Sequence, residues 1–421
     1  MKIEIKLNKR VYLCIMLVLL EGLPFYSNGQ YNGTASVSQG LATTIATNLY
    51  TCSGGRVTNL GTITASDKSV WTVPAEVNFT KTSFPFASDL YNSCIGATYS
   101  NSTQALAALN GKDIVSIDSN GEVITAFVFA DNYFEMYING VPVGKDKVPY
   151  TQFNSSVVRF KVKRPFTIAM LLVDWEENLS LGSELSGNFA YHDGDGGMVA
   201  VFMDSNNKII AKTGTDWKAQ TFYTAPIVNL SCPTENGSLR RSDQCSTQDV
   251  NDGKAFYALH WHKPTDWMQA SFDDASWPYA TTFTNTVIGV NNKPAYTNFT
   301  NIFDDPKDDA LFIWSSNVIL DNEVVVRYTV PSITSIHAPY TKPFHFYIFP
   351  NPVHNDLHIE TNGFINLDNF ISIFLINAQG EAVFTSNGYV NSISLNGIPQ
   401  GVYWLKIKFK GGEYIERLII Q

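Results

Sequence analysis

The residues of this chain that could do chemistry are scattered. His192-Asp193-Gly194-Asp195-Gly196-Gly197 is a glycine-rich acidic turn, and Asp174 and Glu176 follow an apolar run ending at Val173. Carboxylate oxygens on such a loop suit calcium, a hard cation with oxygen ligands. Asp174, Asp193 and Asp195 are the candidate calcium ligands. The turn lacks the full Asp-x-Asp-x-Asp-Gly spacing and the distant Glu of an EF-hand, so a plain turn is the alternative. His260-Trp261-His262 puts two imidazoles on one face of a strand with Trp261 opposite, but a metal needs a third ligand. Asp131 and Glu135 flank an aromatic segment. If one strand carries both, they share a face about 13 Å apart, too far for either standard mechanism of glycoside hydrolysis.

Aromatic side chains offer the stronger lead. Trp217, Tyr223, Trp261, Trp267, Trp277 and Tyr279 lie in polar, turn-rich surroundings. An exposed ring packs on the apolar face of a sugar while neighbouring Asp and Asn bond its hydroxyls. Trp217, Trp261, Trp267, Trp277 and Tyr279 are therefore the candidate ligand contacts, with a glycan as the ligand class. The opposing expectation is that large rings are core residues. Gly-x-Ser-x-Gly, His-Glu-x-x-His and Walker patterns are absent, and no catalytic residue is assigned.

The elements that must position these groups read as strands. Ile124–Ala130, Phe134–Ile138, Val157–Val162, Phe166–Val173, Met198–Met203, Ile209–Lys212, Ala310–Trp314 and Val324–Val330 are short apolar or alternating segments. Asn139-Gly140 is a type I′ hairpin signal leading into Val141-Pro142-Val143. Helical periodicity is confined to Thr103–Leu109. Many short strands separated by turns predict an all-β chain, with a jelly-roll or sandwich region at 66–331, as one elaborated module or two small ones. Residues 30–65 are a small, polar lead-in.

The chain begins with Lys2, Lys6, Lys9 and Arg10, an apolar run Val11–Leu20 and small residues at Ser27-Asn28-Gly29. This predicts a signal peptide over 1–29, with an apolar stretch too short to span a bilayer. No later segment reads as transmembrane. Of 421 residues 44% are hydrophobic and only 16% are charged, and the formal charge is −9. Without a basic stripe to release counterions, nucleic acid is disfavoured. Cys52, Cys94, Cys232 and Cys245 remain after the leader, an even number suited to an oxidising compartment. Of three pairings, Cys52–Cys94 and Cys232–Cys245 are favoured, the second stapling a polar loop. Eight Asn-x-Ser/Thr sequons reflect Asn, Ser and Thr richness.

Several segments resemble known families. The tail runs from Phe349-Pro350-Asn351-Pro352 through Leu357-His358-Ile359, Ile371-Ser372-Ile373, a turn at Asn377–Gly380, Ser392–Leu395 and Gly401-Val402-Tyr403-Trp404 to a last strand Tyr414–Ile420. It resembles the type A C-terminal sorting domain of the type IX secretion system. The resemblance covers 344–421 and implies a small Ig-like sandwich, the type IX machinery as partner, a bacterium of the Bacteroidota, release or attachment at the outer cell surface, and cleavage near a linker at 332–343. Phe129–Gly144, Phe272–Ala280, Ile313-Trp314 and Val324–Arg327 resemble galactose-binding-like jelly rolls, although the Trp-Pro element here follows the Asn-Gly hairpin. The 51–92 segment is similar to the lead-in of YHYH-domain secreted proteins but lacks the namesake motif. If the acidic turn holds calcium, titration with calcium raises the melting temperature, and an unchanged melting temperature removes that site.

Overall fold

A computed structural model describes residues 31–52, 58–109, 111–149, 153–175, 183–186, 189–193, 196–248, 253–332, 346–361, 370–409 and 412–421. The expected signal peptide, 1–29, and the expected linker, 332–343, apart from Ser332, lie outside these.

The cargo is built on two large sheets. One has seven antiparallel strands, in spatial order Ser36–Gln39, Tyr257–His260, Lys218–Ile227, Asp321–Val330, Phe166–Val173, Tyr133–Ile138 and Val141–Lys145. The second has nine, running from Thr281–Phe283 through Phe312–Trp314, Gly197–Met203, Glu122–Asp131, Ser155–Val162 and Ser88–Asn92 to Ala97–Thr98, with Ile209–Lys212 and the parallel Ile114–Ser116 attached at the side. Their inner faces share a core that includes Phe129, Phe134, Met136, Val158, Leu172, Val201, Trp314 and Val326. The Asn-Gly hairpin and the Trp-Pro element belong to the same pair of sheets. The lead-in also takes part, because Ser36–Gln39 forms an edge strand on Tyr257–His260. A separate three-stranded sheet, Thr43–Ala46, Leu60–Thr64 and Val70–Val73, follows it.

Local sequence explains the turns and the one longer helical piece. Asn139 and Gly140 both have positive φ, as a type I′ turn requires. A Cβ at Gly140 would also meet the Gln269 side chain at 2.4 Å. Ser102–Ala107 is helical, opened by Asn101, whose side chain accepts from the Gln104 amide at 3.0 Å. Both expected disulfides are formed, Cys52–Cys94 and Cys232–Cys245.

The two faces of the seven-stranded sheet are both buried, for different reasons. Its inner face meets the second sheet. Its outer face carries Tyr133, Tyr137, Leu171, Val173 and Val325, and loops roof it. Two buried cations hold that roof. Lys145 Nζ donates to the main-chain oxygens of Asn78, Phe79 and Lys81 at 2.6–2.9 Å. The Arg327 guanidinium donates to Asp274 at 2.8 Å and to the carbonyls of Trp267, Gln269 and Phe272. The Asn78, Lys81 and Gln269 carbonyls also accept from the amides of Lys81, Phe84 and Phe272, so each cation reinforces a turn while serving the remaining carbonyls of its loop.

The C-terminal unit is a smaller sandwich. Phe346–Phe349, Asp356–Thr361 and Ser392–Ser394 form one sheet; Ala382–Asn387, Phe370–Ile376, Gly401–Phe409 and Gly412–Ile420 form the other. Alternation is realised as expected: Leu357 and Ile359 are buried while His358 is exposed. The Asn377 side chain accepts from the Gln379 and Glu381 amides at 3.0 and 2.9 Å, closing the turn ahead of Gly380.

Arg327→Met keeps the bulk but removes the donors, taking the guanidinium from the Trp267 and Phe272 carbonyls and from Asp274. It lowers unfolding free energy by about 2–4 kcal/mol, measured by urea denaturation; a change below about 0.5 kcal/mol, the ordinary surface range, contradicts the clamp.

Candidate functional site

The loops do not seal the outer face completely. A cleft of about 210 Å³ remains, lined by Glu76, Val77, Asn78, Glu135, Tyr137, Leu171, Lys263, Trp267 and Met268. Its floor comes from the strand Tyr133–Ile138. Period-two alternation sends Phe134, Met136 and Ile138 into the inter-sheet core and Tyr133, Glu135 and Tyr137 outward. The wall comes from the 74–79 and 261–268 segments, brought together by Lys145 and Arg327.

Glu135 has no exposed surface, yet it is fully served. Its Oε1 accepts from the Asn78 amide and, at 3.1 Å, from the Tyr133 hydroxyl. Its Oε2 accepts from Asn78 Nδ2 and the Tyr137 hydroxyl, both at 2.8 Å. Burial and the adjacent carboxylate raise the pKa of both tyrosines, so they remain proton donors. Glu323 pairs with Lys263. Burial raises its pKa; Lys263 opposes this, while Glu76 and Glu135 add to it. Burial lowers the pKa of Lys145, opposed by Glu135. The cleft therefore has a fixed polar floor, aromatic walls and an exposed Glu76 at its rim.

Asp131 and Glu135 do not share a strand. Asp131 ends Glu122–Asp131 and faces Gly197 in the nine-stranded sheet, whereas Glu135 lies opposite Leu171 and Lys145 in the other. The chain changes sheets between them, so strand rise does not set their separation.

Most of the candidate rings are core residues. Trp217 is fully buried, stacked on Tyr328 at 5.2 Å, and donates to the Lys212 carbonyl at 2.8 Å. Trp261 is covered by the Arg240 guanidinium at 4.6 Å, and Trp277 is wedged between Phe222 and Phe272. These three rings serve the core, because a packed ring has no free face for a sugar. Trp267 is also largely buried, edge-on to Tyr137 at 5.2 Å, but it reaches the cleft wall. Tyr279 is 58% exposed, with Lys218 Nζ 3.9 Å from its ring centroid.

The candidate metal groups are not assembled among the described residues, where no set of three His, Cys, Asp or Glu side chains meets. Asp174 is buried, and its amide donates to the Asn322 carbonyl at 2.9 Å. Asp193 ends a short strand, and Asp195 lies outside the described residues. His260 and His262 both lie against Trp71, with centroids at 5.2 and 4.3 Å. His260 also stacks on Tyr223, and its Nε2 is 2.7 Å from Ser38 Oγ.

Sequence reasoning did not anticipate Glu76, Asn78, Lys263 and Met268. The available signal was Glu135 inside the apolar run Phe134–Ile138, since a buried carboxylate requires partners. Glu323 and Arg327 within the last cargo strand carry the same signal.

Residues 347–421 match the family model of the secretion system C-terminal sorting domain. This unit is a type IX sorting domain. The sorting domain directs the protein out of the cell, for release or attachment at the cell surface. No helix among the described residues is long and apolar enough to cross a membrane. No curated protein matches the chain. Among solved structures, a Faecalibacterium prausnitzii beta-glucuronidase is 11% identical, covering 92% of this chain and 45% of that one with a TM-score of 0.17. A beta-D-glucuronidase of Dictyoglomus thermophilum is 12% identical, covering 93% and 44% with a TM-score of 0.14. Dimeric latent PorU from Porphyromonas gingivalis is 11% identical, covering 92% and 34% with a TM-score of 0.16. The chain spans less than half of each, and likeness at these scores carries no argument about the cargo.

Burial lowers the His260 pKa to about 3, so the ring is neutral in the folded protein. The unfolded chain takes up a proton near pH 6.5 that the folded chain refuses. The stability is present above pH 6.5 and is lost as pH falls toward 3. Wild type therefore loses unfolding free energy relative to His260→Gln by up to about 1.4 kcal/mol per pH unit across this window. Parallel pH profiles from urea denaturation exclude this.

Proposed function

We propose that the chain is a type IX cargo whose sandwich binds carbohydrate without turning it over, through the cleft on the outer face of the seven-stranded sheet. The observation that carries this reading is the cleft itself. Polar groups are held rigidly at its floor, beside the aromatic walls of Tyr137 and Trp267. Fixed polar groups that define orientation, set among apolar and aromatic surfaces, are what a small polar ligand requires. The galactose-binding-like character of the cargo is part of the proposal, supported by the Asn-Gly hairpin and the Trp-Pro element within one sandwich. Removal of the 1–29 leader and cleavage near 332–343 belong to the same reading.

The chemistry of the buried carboxyls favours binding over catalysis. Each oxygen of Glu135 accepts two hydrogen bonds from groups that stay protonated, and Glu323 is held by Lys263. A general acid must give up its proton and a nucleophile must present a free lone pair. Glu135, with both oxygens doubly served, is not so disposed. The alternatives are a polysaccharide hydrolase or lyase and a structural or adhesive surface protein.

A glycan panel with the purified protein separates these. Binding without product release is expected, and product release makes the protein an enzyme. Met268→Arg, at the partly open cleft wall, should weaken binding by at least about tenfold, equivalent to ~1.4 kcal/mol. If Tyr279→Ala weakens binding instead, while Met268→Arg does not, the ligand sits on the exposed tyrosine and the cleft assignment fails.

A further inference from the structure

The charges around the cleft narrow the class of sugar. Two carboxyl groups, Glu76 and Glu135, line the cleft, and a third, Glu323, is paired to the lining residue Lys263. Glu323 is neutralised by Lys263, the lining cation among the described residues. Glu135 takes four neutral donors and feels the field of Lys145, whose ammonium is turned away onto loop carbonyls. Glu76 stands at the rim, exposed to solvent. Its field and that of Glu135 both reach Glu323 and help hold that carboxyl above the usual carboxylate range. The mouth of the cleft is thus negative, and its cation is already engaged. A ligand carboxylate would enter against like charge and find no free ammonium. A ligand ammonium would enter with the field and meet Glu76 beside an apolar wall, where a charge pair is less screened than on an open surface.

We propose that the cleft selects a sugar bearing a free amine, a hexosamine unit whose ammonium pairs with Glu76 while its ring packs against Val77 and Met268. This rests on the carbohydrate reading above. It runs opposite to uronic-acid recognition, which needs a free cation at the same place.

Titration calorimetry on the whole chain provides the test, with four probes: glucosamine oligosaccharides, the same chains N-acetylated, neutral glucose oligosaccharides and uronate oligosaccharides. At low ionic strength and mildly acidic pH, the amine-bearing chain binds about fivefold tighter than its N-acetylated form, and uronate binds weakest. Added salt shrinks the difference. Glu76→Gln, at an exposed position, makes the amine-bearing and acetylated chains bind equally. Binding of neutral or acetylated chains with no preference for the amine, a preference for uronate, or a preference that survives Glu76→Gln overturns this inference and leaves the carbohydrate reading standing. Silence on all four probes overturns both.

Discussion

The cargo depends on how the outer face of its seven-stranded sheet is covered. An antiparallel sheet ordinarily leaves one face in water. Here loops close over that face, and a loop brings main-chain carbonyls that need donors wherever it is buried. Lys145 and Arg327 supply them, each gathering three carbonyls from one segment. A long flexible side chain and a planar fork suit the two tasks: the ammonium sits at the centre of a turn, and the guanidinium spreads along a loop and pairs with Asp274. The burial of Glu135 and Glu323 follows from this roof. Such charges are tolerable inside only when they are paired or fully hydrogen-bonded, and both meet that condition.

The roof also decides the fate of the aromatic residues. The 261–280 segment contributes Trp261, Trp267, Trp277 and Tyr279, all in polar surroundings along the chain. Because Arg327 draws this segment down onto the sheet, its tryptophans become the apolar underside of the roof. Tyr279 lies past the clamp and remains outside. The cleft is the gap left between the two clamped segments, which is why it combines a rigid polar floor with walls from distant parts of the chain.

The terminal unit has a different character. Its short strands alternate cleanly, its core is small and its turns are closed by local side chains such as Asn377. Among its described residues none is a fully buried cation. Within that simplicity a sorting signal can be read as a linear succession of landmarks.

For that reason the sorting domain was legible from residue order alone, and so were most cargo strands, the Asn139-Gly140 turn, the short helix and the two disulfides. The strands, turn and helix depend on near neighbours, on period-two alternation or on turn chemistry, and the disulfides on an even count of four cysteines. The sequence by itself determined the all-β class and the export address. Glu135 and Arg327, charged residues inside apolar strands, were a signal of buried partners present in the sequence. It did not determine their partners, because Asn78 is 57 residues from Glu135 and Trp267 is 60 from Arg327. It did not show that Asp131 and Glu135 part company between sheets, or that Ser36–Gln39 joins the sandwich. Only the tertiary structure decided which rings lie under the roof and which groups line the cleft. The physical reason is that burial and charge pairing are set by what packs from far along the chain, whereas strands and turns are set locally.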